Sequence, residues 1–399
     1  MREDREKGIH NRTGRGAFLK DVLICSLGAY GGPEAHYGVF TGQLVVKKKY
    51  LSEEELVELI ALTGILPGPS STQTIVAIGY KVGGPVLALL TMLVWALPVL
   101  VLMTALSFLG RFLAAMEISP EGLRYIGPMA VGFIAVAAWR IGRKVVKGPL
   151  YLLLFLLGAG ITYVVRTPWI YPLVLLGGGV AGVLASREKE LWNRVNIRPP
   201  WGYLLAFGGF ALGSLILRMV WDQPLLQIFE SFYRYGYLVI GGGQVVVPLM
   251  YSELVEVNRY MTSQEFLTGF GLVQGLPGPM FSFSAYAGGL AARGGSAFHQ
   301  ILGAVAGGIA IFLPGILLIY FVYPVWEDLK EIRGIRVALR GIAPVAAGLI
   351  AVAALILMQR SGFSPDNILI FLLTGGLLLS GRIPAPLLVA GVLLAGFTF

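Results

Sequence analysis

Cysteine is almost absent from this 399-residue chain: Cys25 stands alone, which excludes an intramolecular disulfide and a thiolate metal cluster within one chain. Histidine is nearly as scarce, and His10, His36 and His299 are too widely spaced to form a metal motif. Charged side chains make up 13% of residues, roughly half the share of about 25% in a soluble domain. There is no Ser-His-Asp pattern, no phosphate loop and no cofactor fingerprint. The expectation is therefore no enzyme, no catalytic residues, no resident metal and no cofactor. Residues 1–16 mix both charge signs and lack the basic, apolar, cleavable order of a secretory signal, so they read as a cytoplasmic tail.

What is present is apolar sequence. Hydrophobic residues reach 56%, and mean hydropathy is +0.75. Uncharged runs such as Val86 to Leu109, Ile301 to Tyr323 and Ile342 to Met358 approach or exceed the length that crosses hydrocarbon. An all-α polytopic membrane protein is expected. The net charge of +9 sits mainly in short gaps between apolar runs, where topogenic lysine and arginine belong, so no nucleic-acid partner is expected.

The chain also repeats itself. Gly31-Gly32-Pro33 and Leu66-Pro67-Gly68-Pro69 return 210 residues later as Gly241-Gly242-Gly243 and Leu276-Pro277-Gly278-Pro279. The same offset superposes Leu44 on Leu254, Tyr50 on Tyr260, Glu55 on Glu265 and Gly79 on Gly289. After a six-residue insertion in the second copy, Pro98 matches Pro314, Arg124 matches Arg340, and Ile134 to Ala138 returns as Ile350 to Ala354. This divides the chain into the tail 1–16, a first repeat 17–186, a basic loop with one extra linking helix 187–223, and a second repeat 224–399. One extra crossing inverts the second repeat. Charge bias agrees: the loop from Arg140 to Lys147 is basic and its partner from Gln359 to Asp366 is not. The loop from Arg111 to Glu121 is poor in lysine and arginine, whereas its partner carries Lys330, Arg333, Arg336 and Arg340. The tail then faces the cytoplasm across an inner (plasma) membrane, with the C-terminus outside.

Segments 18–46 and 51–80 are each interrupted midway. Re-entrant hairpins are expected over single crossings, because they keep Lys47-Lys48-Lys49 inside and because irregular backbone at membrane depth is tolerated where it lines a cavity. Pro67 and Pro69 end one helix and start another, which places a helix N-terminus, with free N–H groups and a positive dipole end, inside the membrane. Ser70, Ser71, Thr72 and Gln73 follow it, a donor set suited to an anion; the second copy offers Ser282 and Ser284 with Gln274 upstream. Gly31, Gly32, Gly242 and Gly243 serve either packing or close ligand approach. Glu34 and His36 are candidates for coupling, against a role in satisfying loop backbone. Arg124 and Arg340 either attract anions at the two mouths or snorkel to the interface. Glu55 and Glu265, three residues after Ser52 and Thr262, read as capping-box partners.

Those residues carry a family resemblance. Tyr30-Gly31-Gly32-Pro33-Glu34-Ala35-His36, Tyr50-Leu51-Ser52, Leu66-Pro67-Gly68-Pro69, Gly241-Gly242-Gly243, Gln274 and Pro277-Gly278-Pro279 are similar to the duplicated pattern of the chromate ion transporter family in its long, two-domain form. The resemblance implies chromate export, with sulfate as the related oxyanion and the bilayer as solvent. Tyr50 and Tyr260 stand where the family often has tryptophan, and Gly64 where a glutamine often precedes Pro-Gly-Pro. Efflux of a tetrahedral oxyanion by alternating access is the leading expectation. The alternatives are a proton-coupled sulfate or oxyanion importer and, less favoured, a membrane enzyme acting on an oxyanion or lipid. Homodimerisation is compatible with the sequence.

Overall fold

The computed structural model describes residues 14–398 except 166, 168, 187, 189–197, 222, 240–242, 330 and 331; the side chains of Glu34, Glu327 and Asp328 also lie outside that description. Most of the 1–16 tail, part of the 187–223 linker, Gly241 and Gly242 therefore fall outside it. Every regular element among the described residues is helical. In chain order these are α1 (Arg15–Gly28), α2 (Pro33–Phe40) with a π-helical continuation (Thr41–Lys47), α3 (Glu53–Ile65), α4 (Ser70–Leu106), α5 (Leu109–Ala115), α6 (Ile126–Val145), α7 (Pro149–Val164), α8 (Ile170–Ala185) and α9 (Trp201–Val220). The second half follows with α10 (Pro224–Leu238), α11 (Val247–Tyr251) with its own π-helical continuation (Ser252–Val257), α12 (Ser263–Gln274), α13 (Phe283–Ala291), α14 (Ala297–Val322), α15 (Trp326–Leu329), α16 (Arg333–Ser361), α17 (Pro365–Ser380) and α18 (Ala385–Thr398).

The broken segments turn back on themselves. Near the start of α1, buried Asp21 accepts hydrogen bonds from Gln43 Nε2 at 2.8 Å and Tyr50 Oη at 2.7 Å, so both ends of segment 15–50 lie side by side. In the second half Arg234 of α10 pairs with Glu253 at 2.7 Å, and Tyr260 Oη donates to Gln227 at 2.7 Å, closing the equivalent hairpin. The next hairpins close alike: Lys81 meets Glu55 at 3.0 Å, and Arg293 pairs with Glu265. Both capping boxes form as their spacing predicts, with Ser52 and Thr262 accepting from the N–H of Glu55 and Glu265. Lys49 and Arg259, mates at the 210 offset, share a left-handed backbone with φ of 54° and 53°.

Five helical stretches, Ser70–Leu106, Pro120–Val145, Trp201–Val220, Ala297–Val325 and Arg333–Ser361, are long and apolar enough to cross a membrane. On α4 the exposed residues Val86, Leu89, Leu93, Leu97 and Val101 recur every three or four positions, an apolar stripe suited to lipid. α4 is kinked at Gly83 and Gly84, where the backbone leaves helical values just before Pro85, so its first part belongs to a hairpin and its second part spans. That Gly-Gly-Pro break lies between segment 51–80 and the apolar run that starts at Val86.

α16 acts as a ruler for the two halves. Near its start Arg336 shares a cavity with Glu58, close to the base of the first repeat's second hairpin. Near its end Arg360 bonds Glu256, at the base of a second-repeat hairpin, at 2.9 Å. The hairpin bases of the two repeats thus sit near opposite ends of a 29-residue helix, about 36 Å apart along its axis, as inversion requires.

Candidate functional site

Four helix breaks meet between the repeats, and backbone geometry joins them. Gly68 N–H donates to the Val239 carbonyl at 2.7 Å, and Gly278 N–H donates to the Ala29 carbonyl at 2.8 Å. Donors and acceptors are both 210 residues apart, so each Pro-Gly-Pro turn is completed by the first hairpin of the other repeat. Gly68 and Gly278 have φ of +133° and +108°, values open to glycine and strained for L side chains.

Beside these turns lies a cavity of about 580 Å³. Gly31 and Gly32, with φ of +81° and +94°, swing the chain from α1 into α2, whose first-turn residues Pro33 and Ala35 line the cavity. Gly68 and Ser70 bring the start of α4 to the same space. Two helix N-termini, each with free N–H groups and a positive dipole end, therefore open on one cavity. The second repeat contributes Gln244, Gln274 and Met280. α6 adds Phe133, Val136, Arg140 and Lys144, and the α17–α18 turn adds Leu378 and Gly381. Arg140 donates through one Nη to the Leu378 carbonyl at 2.7 Å, which leaves other guanidinium N–H groups for a ligand. Gln274 Nε2 and Gln244 Oε1 are buried without partners. Among the described lining side chains there is no carboxylate. An electropositive, donor-rich cavity of this kind can hold a small oxyanion.

The expected residues divide into those at the cavity and those behind it. Gly31, Gly32, Gly68, Ser70 and Gln274 line it. Ser71, Thr72 and Gln73 are buried and engaged elsewhere: Ser71 Oγ lies 2.9 Å from His36 Nδ1, Thr72 accepts from Trp95 Nε1 at 3.2 Å, and Gln73 Nε2 donates to the Pro67 carbonyl at 2.9 Å. His36 packs edge-on against Trp95, with ring centroids 5.3 Å apart, and its Nε2 has no partner. Pro277 leads into the Gly278 turn. Ser282 and Ser284 are fully buried, with hydroxyls lacking partners. Gly243 begins a short 3₁₀ turn, whereas Gly242 and the Glu34 side chain lie outside the described residues. Arg124 stacks over Tyr125 at 4.6 Å and Arg340 pairs with Glu188 at 2.7 Å, both away from the cavity.

Arg140, Lys144 and Gln244 were missed as site residues. The two cations had been assigned to topology, since the same side chains serve both purposes. Their only sequence signal was position: one helical turn apart at the end of an apolar run.

On the second repeat, the counterparts of part of this cavity wall are tightly packed. Under the offset Arg140, Ile141 and Lys144 correspond to Ile356, Leu357 and Arg360. Ile356 and Leu357 line, with Tyr251, Ser252 and Glu256, a space of only about 10 Å³. Arg360 is bound to Glu256 at that site.

The family model described as chromate transporter matches residues 17–183 and 226–397. A probable chromate transport protein of Synechococcus elongatus is 28% identical over 388 residues, covering 96% of this chain and 94% of that protein. A chromate transport protein of Cupriavidus metallidurans is 26% identical over 373 residues, covering 92% and 88%. One of Pseudomonas aeruginosa is 27% identical over 347 residues, covering 86% and 80%. No solved structure matches the chain.

Proposed function

The chain belongs to the chromate transporter family, and from that membership we propose that it exports chromate across the inner membrane by alternating access, with sulfate as a related or competing substrate. Family and apolar helices together make it a multi-pass membrane transporter. The observation that carries the finer reading is the 580 Å³ cavity, where two helix N-termini, Arg140, Lys144 and the amides of Gln244 and Gln274 converge. A tetrahedral dianion offers acceptors in every direction, matching a ring of N–H and side-chain donors. The face bearing Arg140 and Lys144 is assigned to the cytoplasm by its excess of basic residues. The open cavity then faces the cell interior, where an exported ion is loaded.

The open cavity wall at Arg140 and Ile141 and the tight packing at their counterparts Ile356 and Leu357 support alternation between repeats 17–186 and 224–399, each adopting in turn the arrangement of the other. Export also has a driving force. A dianion leaving a negative interior gains about 4.6 kcal/mol per 100 mV, twice the single-charge value, so no coupling ion is required. Import would have to overcome the same amount. His36 is assigned no proton-coupling step: it is held behind the α4 turn by Ser71 and Trp95 rather than at the cavity wall.

The test is chromate flux in proteoliposomes containing only this protein, under an imposed potential, with sulfate and phosphate as competitors. Potential-driven flux that sulfate inhibits is expected. Flux that requires a proton gradient and ignores potential would favour the proton-coupled importer instead.

A further inference from the structure

Two further cavities flank the second hairpins, and they are mates under the repeat. One, of about 540 Å³, is bounded by α3, α15 and the start of α16. The other, of about 530 Å³, is lined by Thr268, Leu106, Gly110, Leu113 and Pro120, the counterparts of Glu58, Val322, Trp326, Leu329 and Arg336 in the first. Their chemistry differs. The second is ringed by Arg111, Gln264, Glu265, Arg293 and Gln300, whereas the described lining of the first is apolar except for Glu58 and Arg336.

We propose that the apolar cavity holds an acyl chain of an anionic phospholipid, with Arg336 meeting the headgroup and a lipid oxygen accepting from Trp326. Trp326 lines the cavity, is only 8% exposed, and its Nε1 has no acceptor. An indole with an apolar body and an unmet N–H suits the boundary between acyl chains and headgroups. Arg336 is exposed and has no ion-pair partner among the described residues, and it lies on the face whose basic excess assigns it to the cytoplasmic leaflet, where anionic lipid concentrates basic segments. From Glu58 to Leu66 is eight residues of helix, about 12 Å of depth, enough for an acyl chain to run from the interface to the Pro-Gly-Pro turn. Leu66 lines both this cavity and the central one. The lipid therefore braces the back of the turn whose front forms the oxyanion cavity.

The experiment uses full-length protein in detergent, titrated with phosphatidylglycerol or phosphatidylcholine carrying dibrominated acyl chains while tryptophan fluorescence is read. Phosphatidylglycerol should quench one component at several-fold lower concentration than phosphatidylcholine, and that component should be missing in Trp326→Phe. Arg336→Gln, a surface change, should weaken the phosphatidylglycerol response about fivefold, the effect of one basic contact. Ala61→Phe should fill the cavity and abolish that component, leaving the quenching of exposed Trp139, Trp169, Trp201 and Trp221, while the size-exclusion profile is kept. A component quenched equally by both headgroups, or a phosphatidylglycerol-selective component that survives in Trp326→Phe, overturns the assignment. A dimer mass without retained lipid in native mass spectrometry would overturn it in favour of a second copy of the chain.

Discussion

Replacing Glu256 with glutamine should open the shut face. The pair joins Arg360 Nη2 to Glu256 Oε1 at 2.9 Å, and its side chains are 48% and 23% exposed. Such partly solvated pairs contribute about 0.5–1 kcal/mol. If the pair forms only when that face is shut, its loss raises the population of the opposite state about two- to fivefold. Cysteine accessibility can read this directly, because Cys25 is fully buried and gives little background. Ser252→Cys reports the shut cavity, which Ser252 lines; Gly64→Cys reports the open one, where an added Cβ meets nothing within 4 Å. Labelling at Ser252→Cys should rise two- to fivefold in Glu256→Gln, while labelling at Gly64→Cys stays level or falls slightly. Arg360→Gln should match it, and the double variant should add nothing. An unchanged Ser252→Cys rate would refute the gate, and parallel increases at both sites would mean general loosening rather than alternation.

Other outcomes follow from the same geometry. Arg140→Gln should raise the chromate KM about tenfold with kcat little changed, since one charge and a dianion at roughly 6 Å interact by about 1.4 kcal/mol even at the dielectric of water; an unaltered KM in the flux assay would remove Arg140 from the site. Gly68→Ala and Gly278→Ala should each cost about 1–3 kcal/mol of backbone strain and lower the melting midpoint in detergent, whereas Gly64→Ala should be tolerated. Arg234→Ala strands Glu253, which is 5% exposed and keeps only the Tyr235 hydroxyl, while Glu230 retains Arg218; it should destabilise by about 3–5 kcal/mol, seen as lost folded yield on size exclusion. Normal yield would place the Glu253 carboxylate in contact with water.

The repeat, the hairpins and the capping boxes were legible because each rests on local chemistry that a sequence displays: proline without an N–H, glycine at left-handed backbone, serine or threonine three residues before glutamate. The cavity was legible only in part. Ser70 to Gln73 read as one donor set, yet consecutive helical residues point about 100° apart, so Ser70 faces the cavity while Ser71 and Thr72 turn toward His36 and Trp95. Arg140 and Lys144 were hidden in a second role, and Gln244, Leu378 and Gly381 reach the cavity only through packing between distant segments. The Gly83-Gly84-Pro85 kink falls between segment 51–80 and the apolar run from Val86, and the second copy places Gly294-Gly295-Ser296 in the loop after α13, where the chain leaves the helix altogether.

The exchanged backbone bonds also constrain biosynthesis. Gly68 N–H waits for the carbonyl of Val239, which is made 171 residues later (239 − 68). At about 5–20 residues per second, that is an interval of roughly 10–30 s in which the first repeat has entered the bilayer with an incomplete turn. An insertion intermediate with a polar gap at its centre would require water, lipid headgroups or an insertase to shelter it. Stalling translation between residues 100 and 230 should therefore yield a protease-sensitive first repeat that becomes resistant once α10 is released.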